Sequence, residues 1–251
     1  MKDSAPKLRI DQLLCQKGLA PSRERAQALI LAGQVLVAEQ RVAKPSERYP
    51  ENAAIRVKGP DHPYVSRGGV KLAAALTHFD LRPAGKVCLD LGASTGGFTD
   101  CLLQKGASRV YAFDSGTNQL HFRLRQDPRV ISRENFNARF LQGSDLPEAV
   151  ELIVMDVSFI SLKLLLPPLL QAVPGPWELL MLVKPQFEAG KGQVGKGGVI
   201  RDEALRLRIV EDLSNFIAGL GLEAQASVPA VIAGEKGNQE YFLAAKWPKN
   251  R

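Results

Sequence analysis

Between Val87 and Ala245, short apolar runs of β type alternate with stretches of helical spacing. The candidate strands are Val87–Leu91, Arg109–Phe113, Val130–Arg133, Leu152–Asp156, Leu179–Val183, Ala224–Val228 and Tyr241–Ala245, and the clearest helical stretch is Glu203–Gly219. Strands separated in this way by helices build a parallel sheet covered on both faces, an α/β architecture. Ligands of such sheets bind outside the carboxyl ends of the strands, where the strand order reverses. The residues just after each apolar run are therefore the first place to look for chemistry.

The first run ends in Asp90-Leu91-Gly92-Ala93-Ser94-Thr95-Gly96-Gly97-Phe98-Thr99. Small residues let the backbone pass beneath a ligand, and a helix starting there offers free N–H groups. Asp114 closes the second run, where a carboxylate can accept hydrogen bonds from a ribose diol. Together they predict a nucleoside-containing cofactor. A nicotinamide-cofactor fingerprint fails at its second glycine, which is Ser94 here. Gly92-Ala93-Ser94-Thr95-Gly96 has the form of a nucleophile elbow. That motif needs an acid and then a histidine downstream, and the last histidine is His121, seven residues past Asp114. Gly190 to Lys196 has the form G-x-x-x-x-G-K, but Gly197 stands where a magnesium-binding Ser or Thr belongs. It reads as a mobile Gly/Lys loop able to close over phosphate.

Three further polar residues fall at strand ends: Asp156 closes ELIVMD, Lys184 closes LLMLVK, and Glu240 opens QEYFLAAK. Lys71 follows a Gly/Pro-rich stretch in SRGGVK. Convergent charged groups around a ligand site are candidates for acid–base work.

Net charge is +7 over 251 residues, and its placement is uneven. Met1 to Lys71 holds 13 basic and 7 acidic residues, an excess of six, whereas the remainder holds 20 and 19. Concentrated positive charge is the footprint of a polyanion-binding module. Leu8, Ile10, Leu13 and Leu14 lie at helical spacing before Gly18; Ser22 reads as the N-cap of a helix closed by Gly33, and Val35, Val37, Ile55 and Val57 suggest strands. Residues 1–58 form the expected basic domain, 59–69 a linker, and 70–251 the α/β domain. Leu72 to Phe79 returns to helical spacing after that linker. Cys15, Cys88 and Cys101 form no C-x-x-C pair and the three histidines are scattered, so neither disulfides nor a metal site is expected. No signal segment and no apolar run of ~18 residues is apparent, so a cytoplasmic protein without a membrane span is expected.

The stretch KLRIDQLLCQKGLAPSRERAQALILAGQVLVAEQRVAKPS resembles the S-four-like RNA-binding domain, named after a small-subunit ribosomal protein. It departs at Ala38-Glu39-Gln40, where many relatives have Asn-Gly, so a looser hairpin is expected. DLGASTGGFTDCLLQKGA, MDVSFISLKLLLP, VKPQFEAGKGQVGKGGVIRD and GEKGNQEYFL resemble the TlyA family, historically called hemolysins. The resemblance implies a Rossmann-like seven-stranded methyltransferase sheet of FtsJ type behind the RNA-binding domain. It implies ribose 2′-O-methylation of rRNA, with cytidine as target and S-adenosylmethionine as cofactor. The family's Lys-Asp-Lys-Glu tetrad falls on Lys71, Asp156, Lys184 and Glu240. The cofactor residues fall on the Gly92–Phe98 turn (Gly92, Ala93, Ser94, Gly96, Gly97, Phe98), with Asp90 ahead of it, and on Asp114, Asn137 and Asp156. RNA contacts are expected at Lys7, Arg9, Lys17, Ser22, Arg23, Arg25, Lys44, Arg67, Lys191 and Lys196. Relatives carry a tryptophan in the linker, where this chain has Tyr64-Val65.

A ribose hydroxyl is a poor nucleophile at neutral pH, so the protein must take its proton and align it with the methyl donor. Lys184 is the expected base, its ammonium disfavoured by burial and by the like charge of Lys71. Asp156 would orient Lys184 beside the methyl group, and Glu240 would position Lys71 or the ribose. The expected partners are rRNA and ribosomal subunits, with a monomer favoured and no membrane. Rival readings are a pseudouridine synthase, whose catalytic aspartate would need another architecture, a non-catalytic ribosome-assembly factor, and a lytic toxin lacking any amphipathic segment.

Overall fold

A computed structural model describes residues 6–20, 22–57, 62–190, 192–195, 197–234 and 237–248. The chain divides into two compact units, Met1–Pro63 and Tyr64–Arg251. The first contains β1 (Lys7–Arg9), α1 (Ile10–Gln16), α2 (Arg23–Leu31), β2 (Val35–Val37), β3 (Gln40–Arg41), β4 (Arg48–Pro50) and β5 (Ile55–Val57). Ile10, Leu14, Ala26 and Ile30 from the helices pack on Val35, Val37 and Val42. Each of the isoleucine, leucine and valine side chains contributes about 1.5–3 kcal/mol when fully buried. Ser22 caps α2, its Oγ accepting from Arg25 N at 3.2 Å. Gly18 and Gly33 end the helices with left-handed backbones.

Two expectations for this unit change. Leu8 is not helical: it pairs with Tyr49 across β1 and β4, and α1 begins at Ile10. The hairpin after β2 is not loose either. Val37 pairs with Gln40, so the turn has two central residues, Ala38 at φ 47° and Glu39 at φ 63°. Both adopt the left-handed conformation that a type I′ turn demands. The strand twist imposes this geometry although neither residue is glycine or asparagine.

The second unit begins with α3 (Arg67–His78), so the helix starts five residues before Leu72 and takes in the last three residues of the expected linker. It continues through β6 (Val87–Leu91), α4 (Gly97–Gln104), β7 (Arg109–Phe113), α5 (Phe122–Arg125), β8 (Val130–Arg133), β9 (Leu152–Met155), α6 (Leu166–Ala172), β10 (Glu178–Val183) and α7 (Pro185–Glu188). It closes with α8 (Glu203–Gly219), β11 (Glu223–Ala224), β12 (Val228–Pro229) and β13 (Tyr241–Lys246). The sheet runs β11-β13-β10-β9-β6-β7-β8, with β12 also on β13. Its eight strands fill seven positions, because the edge position beside β13 is made of two short pieces, β11 and β12. The expected strand Ala224–Val228 is broken at 225–227; as an edge it has a ladder on one side only, and Pro229 removes a donor from its end.

Side chains alternate strictly between the two faces. Leu89, Leu91, Ile153, Met155, Leu179, Met181 and Val183 pack on one side with α6 and α8. Cys88, Leu152, Val154, Leu180 and Leu182 pack on the other with α3 and α4. Both faces are buried, which is why the strands read as continuous apolar runs. The sheet is not wholly parallel: β13 runs antiparallel to β10, with Val183 opposite Tyr241. This places the beginning of β13 beside the carboxyl ends of its neighbours.

Candidate active site

Strand register assembles the site. Leu91 pairs with Met155, so Gly92 and Asp156 leave the sheet side by side, and Asp156 N donates to Leu91 O at 2.9 Å. A Cβ on Gly92 would lie 2.5 Å from Asp156 O, and the residue holds φ +87°, so only glycine fits here without strain. Val183 is followed by Lys184, and Glu240, just ahead of Tyr241, falls beside it. Lys71 arrives from α3, whose first turn lies against the start of α4. There a Cβ on Gly97 would strike Ser66 Oγ and come within 3.0 Å of Gly69 N.

The four charged residues form two pairs. Lys71 Nζ donates to Glu240 Oε2 at 2.6 Å, and both side chains are largely buried. Lys184 Nζ lies 2.7 Å from Asp156 Oδ1 and also donates to Ser158 Oγ at 2.7 Å. The like-charge arrangement expected for the lysines is thus replaced by one carboxylate partner for each. Removing one partner of a buried pair leaves an uncompensated charge, which typically costs ~3–5 kcal/mol. The pairs line a cavity of about 360 Å³ together with Arg67, Ala93, Ser94, Gly97, Phe98, Phe159, Gln186 and Phe187.

A second cavity, of about 510 Å³, adjoins it and shares Gly92, Ser94, Asp156, Ser158 and Phe159. Asp114 and Asn137 line it, between the apolar walls of Phe113, Phe136, Ile160 and Leu165. Asp114 Oδ2 accepts from Ser94 N at 2.8 Å and Oδ1 from Gly116 N at 2.7 Å. A carboxylate has about four lone-pair positions, so each oxygen retains one for a ligand hydroxyl. The glycine cradle, the anchored carboxylate and the apolar walls fit a nucleoside-bearing cofactor.

Not every expected cofactor residue meets this space. Asp90 is wholly buried beneath the turn, accepting from Thr99 Oγ1 at 2.6 Å, so it supports the turn and lines neither cavity. Burial pushes its carboxyl up to about 7; the negative charges of Asp156 and Asp114 add to the effect and the Thr99 bond opposes it. Gly96 has its Cα turned toward Leu120 and Leu124 and lines neither cavity.

Of the expected RNA residues, Arg67 is exposed at the rim of the first cavity. In the first unit Lys7, Lys17, Arg25 and Lys44 are exposed. Ser22 is occupied as a helix cap. Arg9 and Arg23 are tied to the buried Asp11, which accepts from Arg9 Nε at 3.0 Å, Arg23 Nη2 at 3.2 Å and Gln27 Nε2 at 3.1 Å. The Arg9 hydrogen bonds above all hold the Asp11 carboxyl well below the usual carboxylate range. Lys191 and Lys196 lie outside the described residues.

Two residues unassigned by sequence reasoning line the site, and a third braces the loops around it. Ser158 contacts Lys184 directly. Phe159, at φ 64° and 91% exposed, leans on Phe187 with ring centroids 5.0 Å apart. Glu188 ties the ends of two loops together, accepting from Ser161 Oγ at 2.6 Å and Leu162 N at 2.7 Å, and burial raises its carboxyl. Their only signal is position, just past Asp156 and Lys184.

An open α/β sheet with an antiparallel last strand, a nucleoside cavity at its tips and a lysine–carboxylate cluster beside it defines the methyltransferase class. Residues 64–247 match the FtsJ-like methyltransferase family and residues 8–55 the S4 domain. The chain is 43% identical over 240 residues to the 16S/23S rRNA (cytidine-2′-O)-methyltransferase TlyA of Mycobacterium tuberculosis, covering 95% of this chain and 90% of that one. It is 41% identical to hemolysin A of Brachyspira hyodysenteriae, covering 94% and 98%. A solved structure of a hemolysin of Streptococcus thermophilus aligns with TM-score 0.76 at 39% identity, covering 97% and 90%. The chain belongs to the FtsJ-like methyltransferases and, with its S4 domain, to the TlyA family among them. Among the described residues no helix is long and apolar enough to cross a membrane.

Proposed function

We propose that this chain methylates the ribose 2′-hydroxyl of cytidine in rRNA within ribosomal subunits, in the cytoplasm, with S-adenosylmethionine as cofactor. The observation that carries the reading is the junction of the two cavities, where Asp156 faces both and the two lysine–carboxylate pairs line the first. When bound, S-adenosylmethionine supplies a methyl carbon already activated by its sulfonium centre. Asp114 would hold the cofactor's ribose diol through its two free lone pairs, and the Gly92–Ala93–Ser94 turn would pass beneath it. Asn137, exposed at the rim, would complete the pocket.

The rest of the chemistry belongs to the chain's own side chains. Lys184 receives the hydroxyl proton, and Asp156 holds Lys184 in place at 2.7 Å. Glu240 fixes Lys71, whose ammonium then steadies the substrate oxygen as it gains negative character. Most of the acceleration comes from alignment, for which effective concentrations reach ~10⁵ M and above. The basic S4 unit supplies the grip on RNA, with Lys7, Lys17, Arg25 and Lys44 free to meet phosphates. Arg9 and Arg23 reach RNA only with geometry set by Asp11.

The test is direct. Unmodified ribosomal subunits are incubated with protein and methyl-labelled cofactor, and the RNA is hydrolysed with alkali. The reading expects label in an alkali-resistant dinucleotide containing 2′-O-methylcytidine; label on a base, or none, contradicts it.

A further inference from the structure

Lys184 Nζ donates to Ser158 Oγ at 2.7 Å and lies 2.7 Å from Asp156 Oδ1 in an ion pair that lacks hydrogen-bond geometry. Both come from the segment that follows β9. In extended backbone, residues two apart share a side. Val157, between them, packs on the core beneath the sheet, so Asp156 and Ser158 both face the reaction cavity. The chain then turns sharply at Phe159, in the left-handed conformation. A β-strand ending in this way holds one hydroxyl acceptor and one carboxylate charge to a single amine.

A neutral primary amine has two N–H bonds and one lone pair at tetrahedral directions. The ion pair with Asp156 is not directional, so with Asp156 alone the amine would rotate about its Cε–Nζ bond and the lone pair would sweep a cone. The hydrogen bond to Ser158 Oγ stops that rotation by fixing one N–H, and the Asp156 carboxylate draws the other N–H toward itself, which leaves one direction for the lone pair. We propose that Ser158 is a positioning residue for methyl transfer, its hydroxyl fixing the Lys184 lone pair on the substrate oxygen.

The inference rests on Lys184 being the proton acceptor. In the step it serves, the substrate oxygen forms a bond to the methyl carbon. The carbon–sulfur bond breaks with its electron pair left on sulfur, and the hydroxyl proton passes to Nζ. The resulting ammonium keeps its hydrogen bond to Ser158 and its ion pair with Asp156.

Ser158 is exposed, so its replacement leaves the fold intact. Ser158→Val and Ser158→Thr make a matched pair of equal shape, of which only the second keeps a hydroxyl. Ser158→Val is expected to lower kcat on ribosomal subunits by ~10- to 100-fold, the scale of a misplaced reacting group. Its KM for subunits and its cofactor Kd stay within about twofold of wild type, the mark of an interaction used only in the transition state. Ser158→Thr restores most of the rate. Wild-type kcat in Ser158→Val, or an equal loss in both variants, overturns the proposal. Lys184→Ala assayed in parallel separates the two failures. If Lys184→Ala keeps turnover, the Lys184 reading falls and this proposal with it. If Lys184→Ala is inactive while Ser158→Val is unaffected, this proposal alone falls.

Discussion

Replacing Gly92 by alanine probes the crossing on which the site is built. The added Cβ would lie 2.5 Å from Asp156 O and 2.8 Å from its carbonyl carbon, both backbone atoms that cannot swing aside. Two costs add. Holding a Cβ-bearing residue at φ +87° costs ~1–2 kcal/mol, and forcing a methyl into packed space costs a further ~1–3 kcal/mol. Gly85→Ala is the control. It has φ +76° with nothing within 4 Å of its Cβ, so it meets only the first cost. For a unit of this size each kcal/mol moves the melting temperature by ~2–4 °C. Gly92→Ala should therefore melt about 4–20 °C below wild type and clearly below Gly85→Ala. Because Asp156 lines both cavities, Gly92→Ala should also weaken S-adenosylmethionine binding by at least ~10-fold, while Gly85→Ala should not. Circular-dichroism melts and calorimetric titration read both effects. Equal melting points for the two variants, or undiminished cofactor affinity in Gly92→Ala, would refute the reasoning.

The buried Asp90 gives a pH signature. Its carboxyl is raised to about 7 in the folded protein, above its value near 3.9 in the unfolded chain, so the folded state holds the extra proton between those limits. Its contribution to stability therefore declines as pH rises through that window. Wild type should lose about 2–3 kcal/mol relative to Asp90→Asn between pH 5 and pH 8, measured by urea unfolding at both pH values; parallel pH profiles would contradict this. In the S4 unit, Glu39→Gly relieves a left-handed non-glycine residue and should stabilise the β2–β3 hairpin by ~0.5–1 kcal/mol. The exposed Glu39–Arg56 pair offsets little of that. Amide exchange in β2 and β3 should slow, and faster exchange would count against the type I′ assignment.

The strand-tip chemistry was legible because a sheet buried on both faces writes each strand as an unbroken apolar run, and a polar residue at the run's end stands out. Asp156, Lys184, Glu240 and Asp114 were all found in this way. The direction of β13 was not legible, since periodicity carries no sense of direction, yet that direction is what brings Glu240 to Lys184. Asp90 and Gly96 carry the same residue types as the ligand-facing turn, and only their surroundings show that they face inward. Arg9 and Arg23 read as free cations because the aspartate that binds them, Asp11, lies on a helix face that looks polar in sequence but is fully buried. Ser158 and Phe159 read as ordinary loop. Their roles depend on a backbone that folds back at Phe159, a conformation no residue type there announces.

The central claim is that cofactor binding and proton removal occupy adjoining cavities, with Lys184 serving only proton removal. It is tested most directly by measuring S-adenosylmethionine affinity and single-turnover methyl transfer on the same preparation of Lys184→Ala. The expected result is a Kd within about threefold of wild type, because the side chain lines only the first cavity, together with loss of methyl transfer. Wild-type turnover in that variant, or a cofactor affinity that collapses with the rate, would contradict the account.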